Sequence, residues 1–270
     1  MALTKLYDPE NGKMRVAGLM SGSGSNLREI IEYGEEMKFI EDRSPYQVVV
    51  IFSDSSVSNA VEIGRDYGIP VITNDIRGFY KVQGKPRNDM QVRREFDQET
   101  VKALEPFDIN VAAYAGYMSI ATEPLINAFL GVNVHPADLS IMDEGRRKYT
   151  GDNAVRDAIL AGEKQIRSTT HIVEPAVDYG RILMISGPTG VNLPKFLLKN
   201  KSLLSHLNQE KYDKLFREEV DRHQNLLKKG GDWIIFPRTL GYIANGRYSQ
   251  DENGDLYFDG KPIPDGTRIE

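Results

Sequence analysis

Short apolar runs alternating with helix-periodic stretches constrain this chain more than any other feature. MRVAGLM (14–20), YQVVVIFSD (46–54), IPVITND (69–75), DINVAAYAG (108–116) and GVNVH (131–135) are rich in Val, Ile and Ala. Between them lie NLREIIEYGEEM, VSNAVEIGRDYG and RREFDQETVKALEP, whose apolar residues recur at helical spacing. Strands that are apolar on both faces and joined by helices predict an α/β fold: a mostly parallel central sheet flanked by helices.

The charged stretch GFYKVQGKPRNDM (78–90) interrupts this rhythm. Further on, STTHIVE (168–174) and GRILMISGPTGV (180–191) continue the sheet, the second expected antiparallel to its neighbour. From Leu193 the composition changes. Residues 211–229 place Tyr212, Leu215, Phe216, Val220, His223, Leu226 and Leu227 on one helical face, expected to pack on the core. The tail RYSQDENGDLYFDGKPIP holds the turn dipeptides Asn253-Gly254 and Asp259-Gly260 between strand formers, which predicts a small hairpin. The organisation expected is one domain over 1–270. Its core spans about 14–192, and a C-terminal helical segment and β-hairpin extension occupy about 193–270.

No apolar run approaches the roughly 18 residues of a membrane span, and MALTKLYDPENGKMR lacks a signal-peptide core, so the expected location is the cytoplasm, with no membrane partner. The absence of cysteine excludes a disulfide framework, a thiolate zinc site and a cysteine nucleophile. A net charge of -5 gives no support to a broad grip on nucleic acid and points to small-molecule partners. A homodimer stays open.

The first strand runs into SGSGSN (21–26) and then a helix. Gly22 and Gly24 free the backbone for a tight turn, and the N–H groups that follow suit a phosphate or carboxylate, although a plain strand-to-helix turn reads equally well. A dinucleotide fingerprint would need a third glycine where Leu27 stands, and a P-loop would need a Gly-Lys-Ser/Thr that is absent. Asp54, ending the next strand, keeps only a weak dinucleotide reading in view.

In GVNVHPADLS, residues two apart share a strand face, so Asn133 and His135 project together before Pro136 ends the ladder. That is the sheet edge where open parallel sheets bind ligands. His171, inside the next apolar strand, reads better as a hydrogen-bonded core residue. Asp178, in the loop EPAVDYG, is either a turn carboxylate or, where the two strands are neighbours, a partner for His135. An amide and an imidazole stabilise an oxyanion forming on a carbonyl, while a carboxylate raises the imidazole pKa and moves protons through water. Acyl transfer to an amine needs these functions and no protein nucleophile.

These residues, with SGSGSNLREII, RREFDQE before AAYAGYMSI, GVNVHPADL, STTHIVEPAVDYGRIL and the closing IANGRYSQDENGDLYFDGKPIP, resemble the glycinamide ribonucleotide formyltransferases, folate-dependent enzymes of purine synthesis. The resemblance covers most of residues 14–191 and the tail, and implies a Rossmann-like formyltransferase fold. It implies transfer of the formyl group of 10-formyltetrahydrofolate, as co-substrate, to the amine of glycinamide ribonucleotide, with no metal. Asn133 and protonated His135 would steady the oxyanion while Asp178 orients the imidazole and helps a water carry the proton. Gly24, Ser25 and Asn26 would hold the ribonucleotide phosphate. Arg93, Met118, Ser119, Ile120, Asn133 and the loop Glu174, Pro175, Ala176, Val177 and Asp178 would contact the folate.

The departures concern the acceptor. The family usually continues N-I-H-P-S-L-L-P where this chain reads NVHPADLSIMDEG, followed by the basic run Arg146-Arg147-Lys148. That run reads as a solvated loop or as a further phosphate or carboxylate contact. Where the family commonly has histidines, Asn153 and Val155 stand. Segments 77–90 and 195–231 have no clear counterpart, and they obscure a helical site that helps the family hold the substrate phosphate. Other readings are a formyltransferase for a different amine, a 10-formyltetrahydrofolate hydrolase, and a non-catalytic nucleotide-binding homologue. The related deformylases carry an additional N-terminal domain, and the few residues before the first strand weigh against hydrolysis. An NAD-dependent dehydrogenase comes last.

Overall fold

The computed structural model describes residues 2–41, 44–194 and 209–269. Its central sheet comprises β1 (Met14–Met20), β2 (Tyr46–Ser53), β3 (Val71–Thr73), β4 (Val111–Tyr114), β5 (Leu130–His135), β6 (Thr169–Ile172), β7 (Ile182–Ile185) and β8 (Thr267–Arg268). In space they follow the order β8-β7-β6-β5-β4-β1-β2-β3. Every pairing from β5 across to β3 is parallel. β6 runs antiparallel to both β5 and β7, and β8 returns parallel to β7.

The helices are α1 (Ser25–Glu41), α2 (Ala60–Tyr67), α3 (Ile76–Val82), α4 (Met90–Leu104), α5 (Glu123–Ala128), α6 (Ala154–Ala161), α7 (Gln209–Leu227) and α8 (Trp233–Ala244). Strand alternation divides the core between the two faces of the sheet. Val16 and Met20 join Leu27 and Ile30 of α1 and Phe236 and Leu240 of α8, whereas Ala17 and Leu19 join Phe96 and Leu104 of α4 and Leu125 of α5. Each large aliphatic side chain so buried contributes about 1.5–3 kcal/mol. The interruption at 78–90 is the end of α3 and a link to α4. Asp75 caps α3 through Gly78 N at 2.8 Å, and Asp89 caps α4 through Gln91 N at 3.0 Å and Val92 N at 3.3 Å.

Because β2 and β3 lie on one side of β1 while β4 and β5 lie on the other, the chain reverses direction across the sheet between β1 and β4. Ligands of doubly wound sheets bind at the carboxyl ends of strands beside such a switch. Here the turn after β1 is tied to the loop after β4: Ser21 N donates to Gly116 O at 3.0 Å, and Met118 N donates to Ser21 Oγ at 2.9 Å.

The helical face expected over 211–229 is observed from Gln209 onward, and residues 195–208 of the longer segment lie outside the described residues. Phe216 and Leu227 of α7 pack with Ala154, Val155 and Ile159 of α6 and with Tyr149. His223 is buried too, but Leu226 turns outward and is 43% exposed. A π-helical turn, Lys228–Asp232, containing the pair Gly230-Gly231, then leads into α8.

The tail forms the expected hairpin. Tyr248–Gln250 pairs with Leu256–Phe258, which pairs in turn with Lys261–Pro262 across Asp259 (φ 48°) and Gly260 (φ 74°). Those two positive angles make the two-residue turn that suits strand twist. Thr4–Lys5 joins the edge of this hairpin, and Thr267–Arg268 becomes β8 of the central sheet, neither being marked by a local sequence pattern. Among the described residues no helix is long and apolar enough to cross a membrane.

Candidate active site

β5 carries Asn133 and His135 to the carboxyl edge of the sheet on one face, as period-two spacing requires. The β5–β6 register then sets His171 directly opposite Asn133 and Thr169 opposite His135. Beyond β6 the loop returns over the edge, where Asp178 takes φ 59°, a left-handed conformation uncommon outside glycine. Its carboxylate Oδ1 lies 3.4 Å from His135 Nδ1 and 3.8 Å from His171 Nε2, and Oδ2 accepts from Gly151 N at 2.7 Å. All three side chains are buried.

Hydrogen bonding assigns the tautomers. His135 Nε2 faces the carbonyl of Tyr149 at 2.9 Å, an oxygen that only accepts, so Nε2 carries the proton and Nδ1 is the nitrogen free to exchange one beside Asp178. His171 Nδ1 donates to Ile172 O at 2.8 Å, which leaves its Nε2 to accept from Asn133 Nδ2 at 3.2 Å. One amide proton of Asn133 is thereby held and the second is available to a ligand oxygen. His171 is thus the hydrogen-bonded core histidine expected from its strand and, beyond that expectation, part of the site. Burial holds its pKa down at about 4, keeping it neutral.

Burial also lowers the pKa of His135, outweighing the opposing effects of Asp178 and of the Tyr149 carbonyl. The expectation that the carboxylate leaves it raised is corrected. Desolvation of the imidazolium dominates, so the free protein presents a neutral ring that gains a proton when negative charge develops beside it.

A cavity of about 500 Å³ opens in front of these residues, within the usual size of a small-molecule site. Met118, Ser119 and Ile120 wall it on one side, with Glu174, Val177 and Asp178 on the other. Pro175 lines an adjoining cavity of about 330 Å³ that shares Ile120, while Ala176 is exposed at the turn, its carbonyl accepting from Tyr179 N at 3.0 Å. Tyr114 also lines the main cavity; its hydroxyl is buried with no hydrogen-bond partner among the described residues.

Arg93 is not at the cavity surface, contrary to its expected contact with a ligand. It lies buried behind the wall, bonded to Asp97 at 2.5 Å and to the hydroxyl of Tyr117 at 2.8 Å. Its place on the inner face of α4 aims it at the core, and it supports the cavity through Tyr117.

Gly24, Ser25 and Asn26 stand at the start of α1, after the turn whose Ser21 is bonded to Met118 of the cavity wall. Gly24 has φ 69°, and a Cβ there would come within 2.4 Å of Ile63 Cδ1, so the turn accepts only glycine without strain. Asn26 is buried; its Nδ2 reaches Asp232 Oδ2 at 3.4 Å, and its Oδ1 has no partner among the described residues. Asp232 also accepts from Ser168 Oγ at 2.5 Å, and full burial pushes its carboxyl up to about 6. Asp232 carries no sequence motif of its own; the glycine pair Gly230-Gly231 just before it, inside a helical period, is the local signal that marks it. Asn153 and Val155 lie at the start of α6, Val155 packed against α7 where a polar ligand has no access.

Among the described residues no cluster of three or more His, Cys, Asp or Glu is placed to hold a metal ion. The fold and the edge site together define a doubly wound α/β protein able to polarise a carbonyl and move a proton beside it. Comparison places it more closely: the formyl transferase family matches residues 14–188, and the chain belongs to that family. It is 27% identical over 94% of its length to the human trifunctional purine biosynthetic protein adenosine-3, of which it spans about a fifth (21%). It is 23% identical to the phosphoribosylglycinamide formyltransferase of Escherichia coli K12, covering 93% of this chain and 96% of that one. Its fold is similar to that of the phosphoribosylglycinamide formyltransferase of Coxiella burnetii, with TM-score 0.65, 20% identity and coverage of 96% of this chain and 100% of that one.

Proposed function

We propose that this protein transfers the formyl group of 10-formyltetrahydrofolate to the primary amine of glycinamide ribonucleotide, in the cytoplasm. Family membership supports a folate co-substrate, and the main cavity, about 500 Å³ with Met118, Ile120 and Val177 in its lining, suits a ring system. The observation that carries the reading is the convergence of Asn133, His135 and Asp178 on one edge of the sheet.

The folate supplies an activated formyl carbon. As the amine bonds to that carbon and the bond to the folate nitrogen breaks, the proton leaving the amine ends on the folate nitrogen. Asn133 donates its free amide proton to the formyl oxygen as charge develops there, with its orientation fixed by His171. His135 takes that amine proton at Nδ1, and the imidazolium stabilises the charge on the formyl oxygen until the proton passes to the folate nitrogen. Asp178 steadies the imidazolium and shares the proton's route to the leaving nitrogen. Gly24, Ser25 and Asn26 receive the ribonucleotide phosphate at the positive end of α1. Asp232, behind Asn26, fixes that amide. The single-domain reading is supported by β8, which returns the tail to the central sheet.

The hairpin at 142–147, in the loop that departs from the family pattern, and the apolar Val155 make the acceptor the point to test. Purified protein is incubated with 10-formyltetrahydrofolate, with and without glycinamide ribonucleotide. Formylated product that requires the ribonucleotide supports the assignment. Folate release without amine establishes hydrolysis instead, and absence of turnover overturns both.

A further inference from the structure

The basic run after His135 enters the site through a short segment. Met142–Asp143 and Arg146–Arg147 form a two-stranded hairpin turning at Glu144 (φ 48°) and Gly145 (φ 77°). The chain leaving it bends at residues 148 and 149 and again at Gly151 (φ 74°), and residues 147, 149 and 151 each meet His135 or Asp178. Arg147 Nη1 donates to the carbonyls of Asp178 at 2.5 Å and Gly180 at 2.9 Å. Tyr149 O accepts from His135 Nε2, and Gly151 N donates to Asp178 Oδ2. Tyr149 is itself anchored, its hydroxyl 2.6 Å from Glu163 Oε1. The guanidinium of Arg147 lies 5.7 Å from the ring of Tyr179, between the two carbonyls it holds.

We infer that Arg147 is a positioning residue for formyl transfer: by holding both carbonyls flanking Tyr179 it keeps Asp178 in its left-handed conformation, with the carboxylate on His135 Nδ1. The inference rests on the formyl-transfer reading for its kinetic consequence only. A left-handed aspartate is a strained arrangement that persists where its surroundings over-determine it. Here the surroundings are a guanidinium on the main chain and a backbone N–H on the side chain, both from one segment. The charge has a second effect. His135 faces Asp178, Arg147 and Asp152, and among these Arg147 opposes its protonation. Arg147 itself faces Asp178, Glu174 and Tyr179.

The test compares wild type, Arg147→Met and Arg147→Lys by steady-state kinetics and by NMR titration of His135 in the unliganded protein. The chain has 4 histidines, so the ring resonances are readily assigned. Arg147→Met should lower kcat about 10- to 100-fold, the scale of a catalytic group displaced by about an ångström, with the folate KM within about threefold of wild type. Displacing Asp178 removes the largest influence favouring the His135 imidazolium, larger than the opposing effect of Arg147, so the His135 pKa should fall. Arg147→Lys, which keeps the charge, should recover most of both. A His135 pKa unmoved or raised in Arg147→Met, a wild-type kcat there, or a lysine variant as impaired as the methionine one overturns the inference. Should wild type itself transfer no formyl group, the functional reading fails separately, and the titration still decides the positioning role.

Discussion

Asp178→Asn is the most informative single change at the site because it removes a charge and almost nothing else. The amide oxygen can still accept from Gly151 N, the contact now made by Oδ2 at 2.7 Å, so the loop keeps its anchor. The amide nitrogen would face His135 Nδ1 and donate to it, which holds the imidazole neutral. Two effects are lost. An imidazolium 3.4 Å from a carboxylate gains about 5 kcal/mol at an effective dielectric constant of about 20. A positioned proton-transfer group contributes about 10²- to 10⁴-fold in rate, equivalent to about 3–5 kcal/mol of barrier. The two scales agree, so kcat/KM should fall by at least about 100-fold while the melting temperature stays near that of wild type. The assay is formation of formylated glycinamide ribonucleotide from pH 5 to 9, run beside thermal unfolding. Activity within about tenfold of wild type across that range would refute the role assigned to Asp178.

Two further outcomes follow from the geometry. A Cβ at Gly180 would lie 1.7 Å from Ile172 O, so Gly180→Ala must displace the loop carrying Asp178; it should cost about 1–3 kcal/mol in stability and lower kcat/KM about 100-fold, and wild-type values for both would contradict the packing. Burial raises the Asp232 carboxyl to about 6, so the folded protein binds a proton that the unfolded chain releases: the cost is absent below about pH 4, grows as pH rises, and is complete above about pH 6. Asp232→Asn should therefore stabilise the protein by up to about 3 kcal/mol at pH 8 and by little at pH 4, read by denaturant unfolding at the two pH values, and an equal change at both would exclude this origin.

The fold was legible wherever a local pattern carried it. Doubly apolar runs mark β1, β2 and β4, and the two Asp-capped helix starts are visible as residue types. The two-residue hairpin turn is visible as Asp259-Gly260. β8 was not legible, because two residues have no periodicity and owe their strand state to the exposed edge of β7. At the site, the shared face of Asn133 and His135 follows from strand geometry. The position of His171 does not, since nothing in STTHIVE states that it will lie opposite Asn133. Arg93 misleads for a related reason: its block is recognisable, yet the rotation of α4 sends the side chain inward to Asp97.

By itself the sequence determined an α/β sheet with glycine-assisted turns, placed an amide and an imidazole together at a strand end, and ruled out cysteine chemistry. These are properties of near neighbours, set by side-chain period and backbone freedom. Only the tertiary structure decided that Asp178 closes on His135, that segment 147–151 clamps the pair, and that Asp232 stands behind Asn26. Those meetings depend on inter-strand register and helix docking, whose free energy comes from contacts distant in the chain and leaves little local pattern to read.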